Sequence, residues 1–205
     1  FFDVVTYEGD GQAGREVPHN LGVVPEMIWV KNRNQPNGNW VVHVKDAPTT
    51  NPSYGMNALV LNESYDWSYE DYGGAFEALT ETDFTIAGFS PINASGDTHI
   101  AFLFASVAGI CDIGSYTGTG ANQDIDCGFT NGARWVLIKR TDAAGDWMVF
   151  DTLRGIVEDY SKKLCLNNTA LHTTESYIKP LSSGFTVTSN LTGISGAEYI
   201  YMAIA

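Results

Sequence analysis

Short runs of apolar, β-branched and aromatic residues, each bounded by Gly, Asn, Asp or Pro, recur along the whole chain, which is the pattern of strands rather than helices. The runs are of two kinds. Met27-Ile28-Trp29-Val30 and Trp135-Val136-Leu137-Ile138 are continuously apolar, as in a strand covered on both faces. Phe84-Thr85-Ile86 and Phe185-Thr186-Val187-Thr188 alternate, as in a strand with one wet face. A sandwich of two sheets needs both kinds. One segment, Asp151 to Lys163, has a weak helical period broken by Gly155, which predicts one or two helical turns at most.

The runs repeat in the same order in the two halves. Val4-Val5-Thr6-Tyr7-Glu8-Gly9-Asp10-Gly11 matches Ile113-Gly114-Ser115-Tyr116-Thr117-Gly118-Thr119-Gly120, and Glu16 through Lys31 lies opposite Asp124 through Lys139. Gly38-Asn39-Trp40 then meets Gly145-Asp146-Trp147, Leu59-Val60-Leu61-Asn62 meets Leu164-Cys165-Leu166-Asn167, and Ser95 through Ala105 meets Ser195 through Ala205. The offset falls from 109 at Val4/Ile113 to 105 at Leu59/Leu164 and 100 at Ser95/Ser195, and its largest drop locates an insertion in the first copy between Glu63 and Thr82. Two copies are too few for a solenoid. The chain therefore reads as all-β, two tandem homologous β-sandwich (jelly-roll-like) repeats, 1–108 and 109–205, joined near Ser106 to Asp112.

Composition agrees with a folded, turn-rich β protein: 44% of the 205 residues are hydrophobic and 17% charged, with 21 Gly and 10 each of Tyr and Phe. No stretch approaches the roughly 18 apolar residues of a membrane span, so no membrane insertion is expected. Up to Gly109 there are 14 acidic and 4 basic residues (net −10), and after it 10 and 7 (net −3). A field of that sign repels phosphate backbones and anionic lipid, which argues against nucleic acid as a partner. Phe1 is not Met and no secretion signal precedes the fold, so the segment reads as part of a longer polypeptide or a processed one. Cys111, Cys127 and Cys165 are odd in number and show no metal spacing, so they read as buried thiols. The sequons at Asn62, Asn93, Asn167 and Asn190 matter only in a eukaryotic host.

Each catalytic motif reduces to something simpler. Gly9-Asp10-Gly11-Gln12-Ala13-Gly14 has the letters of a dinucleotide fingerprint, but no helix follows and the matching Gly118-Thr119-Gly120 lacks the third glycine, so a hairpin turn is predicted and no cofactor. His19, His43, His99 and His172 are scattered, and no GxSxG elbow exists. Asp124 and Asp126 share a strand face, the arrangement of an acid/base pair or a Ca²⁺ ligand, but no third oxygen ligand is near in sequence, and a solvated face is expected. No catalytic residue, metal ligand or cofactor is assigned, and the chain reads as non-enzymatic.

Trp40 and Trp147 hold equivalent places, so they answer first to the duplicated fold. The inserted stretch differs. Tyr65, Asp66, Trp67, Tyr69, Asp71 and Tyr72 bring aromatic faces and carboxylates together, which suits sugar C–H groups and hydroxyls. The same rings would equally serve to pack the loop down or to make a subunit contact.

Arg134 through Asp142, Gly145-Asp146-Trp147, Asn93 through Asp97 leading to Ala101-Phe102-Leu103-Phe104-Ala105, and the terminal Tyr199 through Ala205 resemble a duplicated β domain of bacteriophage tail-fibre and virion structural proteins. The resemblance covers nearly the entire chain and brings no catalytic residues with it. It implies a virion component, at a tail or other appendage, that supports or performs attachment to host-receptor or cell-surface glycan. Its partners would be other virion proteins, with a homo-oligomer such as a trimer among its assemblies. A secreted lectin-like module and a glycan-degrading enzyme domain are the alternatives.

Overall fold

The computed structural model of the protein describes residues 1–45, 56–66, 74–169 and 173–205, the side chains of Thr173 and Thr174 excepted. The chain divides into two compact units, Phe1–Ala105 and Ser106–Ala205. In the first unit the elements run β1 (Phe2–Glu8), β2 (Arg15–Pro18), β3 (Met27–Asn32), β4 (Trp40–Val44), β5 (Leu59–Val60), β6 (Phe76–Leu79), β7 (Asp83–Ile86), a single helical turn α1 (Ser90–Asn93) and β8 (Thr98–Phe104). The second unit continues with β9 (Cys111–Thr117), β10 (Gln123–Asp126), β11 (Trp135–Arg140), β12 (Trp147–Asp151), β13 (Ser161–Cys165), β14 (Thr173–Glu175), β15 (Ile178–Leu181), β16 (Gly184–Val187) and β17 (Glu198–Ile204). Among the described residues no helix is long and apolar enough to cross a membrane.

Each unit is a sandwich. The first sets the sheet β1-β8-β3-β4-β5 against β2-β7-β6, and the second sets β9-β17-β11-β12-β13-β14 against β10-β16-β15. All pairings are antiparallel, and β1–β8 and β2–β7 nest in opposite sheets, which gives the jelly-roll-like wrapping. The central strands are apolar on both faces as their sequence requires. Inward-facing Ile28, Val30, Val41, Val60, Ala101 and Leu103 of the larger sheet meet Val17, Phe76, Phe84 and Ile86 of the smaller one. Burying each large aliphatic or aromatic side chain contributes roughly 1.5–3 kcal/mol, and this term holds the sheets together. The second unit repeats it with Val136, Ile138, Met148 and Phe150 against Ile125, Ile178, Phe185 and Val187.

The repeat is accurate to the register. Phe2 pairs with Phe104 as Cys111 pairs with Ile204, Met27 with Val44 as Trp135 with Asp151, and Val41 with Val60 as Met148 with Cys165. The insertion resolves into two parts. The offset is 105 at Asn62/Asn167, 102 at Phe76/Ile178 and 101 from Ala78/Lys179 through Ile86/Val187, the last step arising because Glu77 sits in a β-bulge between Phe76 and Ala78.

Three expectations fail for physical reasons. Asp151 to Lys163 is not helical: Gly155 takes φ 117°, and Ser161 to Lys163 join β13, where ladder bonds to β14 outweigh a weak local propensity. The one helical turn among the described residues is instead α1, whose Pro91 stands at its start. Gly9 to Gly14 is no hairpin, since β1 and β2 belong to different sheets and the segment crosses between them. There Gly9 donates to the Asp97 carbonyl at 2.8 Å, and a Cβ on it would lie 2.2 Å from the Ala94 oxygen. Gly118 repeats this, with its bond to Ala197 and a Cβ 2.3 Å from the Ile194 oxygen. Finally, Thr186 and Thr188 are buried rather than wet, and the Thr186 hydroxyl donates to Asp124 at 2.6 Å.

Candidate functional site

The two units enter their β3–β4 and β11–β12 turns in the same way. Lys31 pairs across the ladder with Trp40, and Lys139 with Trp147. Asn62 Oδ1 accepts the Trp40 N–H at 2.8 Å and Asn167 Oδ1 accepts that of Trp147 at 2.9 Å. The same two amides donate to the last turn residue, Asn62 to Asn39 at 2.8 Å and Asn167 to Asp146 at 3.0 Å. Inside this common clamp the turns differ. The second unit crosses through Arg140-Thr141-Asp142-Ala143-Ala144-Gly145-Asp146, closed by an Arg140–Asp142 ion pair at 2.8 Å. The first crosses through Asn32-Arg33-Asn34-Gln35-Pro36-Asn37-Gly38-Asn39, one residue longer and made largely of amides.

This longer turn and Pro91 of α1 enclose a groove of about 200 Å³ lined by Asn32, Gln35, Asn37, Gly38, Asn39 and Pro91. Its floor is braced. Asp97 accepts from Asn32 Nδ2 at 2.8 Å and from Gln35 Nε2 at 3.3 Å, while Asn34 Oδ1 accepts from both the backbone N–H and the hydroxyl of Thr98 at 2.8 Å. Lys31 Nζ donates to the carbonyls of Gln35 at 2.8 Å, Gly38 at 2.5 Å and Pro36 at 3.4 Å, so the ammonium supports the turn from beneath. Burial holds the Lys31 pKa below its ordinary value. On the α1 side, Asn93 is buried and ties the Gly-rich crossing down, donating to the Gln12 carbonyl at 2.8 Å and accepting the Asp10 N–H at 3.0 Å. The second unit has Gly193 at the equivalent place, and a Cβ there would meet the Thr188 oxygen at 2.1 Å.

Amides neither gain nor lose protons near neutrality, so these side chains supply paired donors and acceptors for binding rather than proton transfer. Elsewhere among the described residues, the carboxylates of the Asp124/Asp126 pair are tied into the frame. Asp124 is bonded to Thr186, and Asp126 accepts the Gly128 N–H at 2.9 Å. His19, His43 and His99 are buried. The three cysteines are buried and form no disulfide with one another, and burial pushes the Cys127 thiol up to about 12, which leaves it protonated and unreactive at neutral pH.

Of the residues singled out in the insertion, Tyr65 lies half-buried against the first unit's core and Asp66 is half-buried. Trp67, Tyr69, Asp71 and Tyr72 lie outside the described residues. The amide turn was missed because each residue in it is an ordinary turn former. Its signal is the contrast between copies: Asn32, Asn34, Gln35, Asn37 and Asn39 stand in one repeat where the other has an Arg–Asp pair and alanines.

Compared with known proteins, the chain matches over residues 1–205 the model of one family, described as Domain of unknown function (DUF7483). No curated protein and no solved structure matches it.

Proposed function

Because the chain belongs to this family, Domain of unknown function (DUF7483), a role has to come from its own residues, and we propose that it is a non-enzymatic structural and attachment module of a bacteriophage virion appendage. The observation that carries the reading is the division of labour between copies. The two frameworks agree bond for bond at the Trp40 and Trp147 clamps, while the turn inside the clamp is a closed ion pair in one unit and an amide-lined groove in the other. A scaffold that keeps its frame and varies one surface loop suits presentation of a recognition surface.

Assembly with other virion proteins, or with further copies of the chain, has separate support. In the edge strand β1, Phe2 and Val4 are 48% and 42% exposed, and the Phe2 ring stands 5.1 Å from that of Phe104 in β8. Apolar side chains along a sheet edge favour a covering partner. The resemblance of the sequence to tail-fibre and virion domains supports an appendage as the location.

Antibodies against the domain should decorate an appendage of the phage that encodes it in electron micrographs, and the purified chain should coat host cells without releasing sugar from their polysaccharide. Binding by a protein absent from virions would favour the lectin-like module instead. Release of oligosaccharide, abolished by changing one carboxylate, would favour the enzyme.

A further inference from the structure

We infer that the groove between the β3–β4 turn and α1 is a binding site for a single neutral sugar residue. The inference rests on the attachment reading above and gives it a ligand class and a place. A sugar hydroxyl both donates and accepts, and so does each amide in the groove wall: Gln35 and Asn37 are exposed on the turn, and Asn39 stands beside them. Pro91 supplies the one apolar face, against which the C–H side of a ring can lie.

Charge excludes the acidic sugars. The Asp97 carboxylate, held by Asn32 and Gln35 of the groove lining, would repel a uronate or sialate, and the ammonium of Lys31 is engaged by three backbone carbonyls of the turn. The surrounding unit is itself strongly acidic. A hard cation is disfavoured for a different reason. It asks for six to eight oxygens, whereas the Asp97 carboxylate already accepts two amide bonds here. At about 200 Å³ the groove is smaller than the roughly 300–1,000 Å³ of sites for drug-sized ligands. It therefore admits one ring or the end of a chain rather than a run of sugars. Rigidity favours binding too, because the floor is held by Asn32, Asn34 and Lys31 before any ligand arrives.

The test is a titration of the ¹⁵N-labelled whole chain with methyl glycosides of glucose, galactose, mannose and N-acetylglucosamine, and with glucuronic acid as the charged control. The expected result is saturable movement of the backbone and side-chain amide signals of Gln35, Asn37, Gly38 and Asn39 with at least one neutral glycoside. Asp142 and Gly145 in the other unit's turn should stay still. The double variant Gln35→Ala, Asn37→Ala should bind at least about tenfold more weakly with an unchanged thermal midpoint. The inference is overturned if no neutral glycoside moves these signals, if the movement maps elsewhere, or if glucuronic acid binds as tightly. Attachment is judged separately on host cells. Wild type and double variant coating them equally would sink the groove and leave attachment standing. A sugar-binding groove on a chain that ignores host cells would do the reverse.

Discussion

The first unit buries three imidazoles where the second buries a thiol, a benzene ring and a phenol. His19, His43 and His99 correspond to Cys127, Phe150 and Tyr199, and all six are buried. Shape has been kept through the exchange. His99 stacks on Tyr7 with ring centroids 5.0 Å apart at 12°, and Tyr199 stacks on Tyr116 with the same separation and angle. Chemistry has not been kept. The Tyr199 hydroxyl donates to the Leu191 carbonyl at 2.9 Å and accepts the Ile194 N–H at 3.2 Å, whereas neither ring nitrogen of His43 has a hydrogen-bond partner among the described residues. The comparison teaches that the duplicated frame constrains volume and backbone contact closely and leaves side-chain chemistry free, both in the core and at the β3–β4 turn.

The hardest test of that lesson is a volume exchange. At one pair of facing positions the first unit has Val5 opposite Ala101 and the second has Gly114 opposite Tyr201. A Cβ on Gly114 would stand 2.6 Å from the Tyr201 hydroxyl oxygen. Tyr201→Ala should cost about 3–5 kcal/mol by emptying the site, and Gly114→Val alone should also be costly because it strikes the ring. Making both changes installs the first unit's pair and should recover a large part of the loss, read as a coupling energy from chemical denaturation. Strict additivity of the two changes would mean that the units are not interchangeable at this site.

Acidification should separate the units next. Burial pulls the His43 pKa from 6.5 down to about 4, so the proton prefers the unfolded chain. Stability from neutral His43 is fully present above pH 6.5 and is lost as pH falls through the folded value near 4, amounting to about 3 kcal/mol. Burial lowers the His99 pKa as well, partly offset by Asp97, and adds in the same direction. Amide exchange should therefore show the first unit loosening ahead of the second between pH 7 and 4. His43→Phe, which installs the residue found at Phe150, should flatten that difference. An equal response of both units to acid would refute the histidine account.

Features common to the two frames should respond alike. Gly9→Ala and Gly118→Ala each force a methyl into a carbonyl oxygen, at 2.2 and 2.3 Å, and should each cost towards the upper end of roughly 1–3 kcal/mol. The smallest matched pair is Tyr7→Phe and Tyr116→Phe. Each removes a hydrogen bond of 2.6 Å, to the carbonyls of Ile92 and Thr192, and should cost about 1 kcal/mol. Melting curves that differ widely within either pair would break the equivalence.

The frame was legible in the sequence because its demands repeat. Apolar runs, clamp residues such as Asn62 and Asn167, and glycines at close approaches appear twice in one order, so each copy checks the other. Where only one copy speaks, the reading weakens. The helix expected at Asp151 to Lys163 had only a local period behind it, and strand pairing at Ser161 to Lys163 overrode it. The hairpin expected at Gly9 to Gly14 took Gly9 for a turn residue, when its partners are Ala94 and Asp97, more than eighty residues away. The groove at Asn32 to Asn39 was invisible because it is made by contrast and by the approach of Pro91 from α1, neither of which is a local pattern. Of the aromatic insertion, Tyr65 turned out to serve the core.

The most direct test of a shared frame carrying an unshared recognition surface is to give the first unit the second unit's turn. Replacing Asn32 through Asn39 by Arg140 through Asp146 joins the Lys31 strand to Trp40 with the residues that already join Lys139 to Trp147, and keeps an acceptor for Asn62 where Asn39 stood. The measurement is coating of host cells by the transplanted chain beside wild type, with the thermal midpoint recorded for both. The account predicts a folded protein with a nearly unchanged midpoint and most of its binding lost. Undiminished coating would place recognition elsewhere, and a chain that fails to fold would show that the turn belongs to the frame.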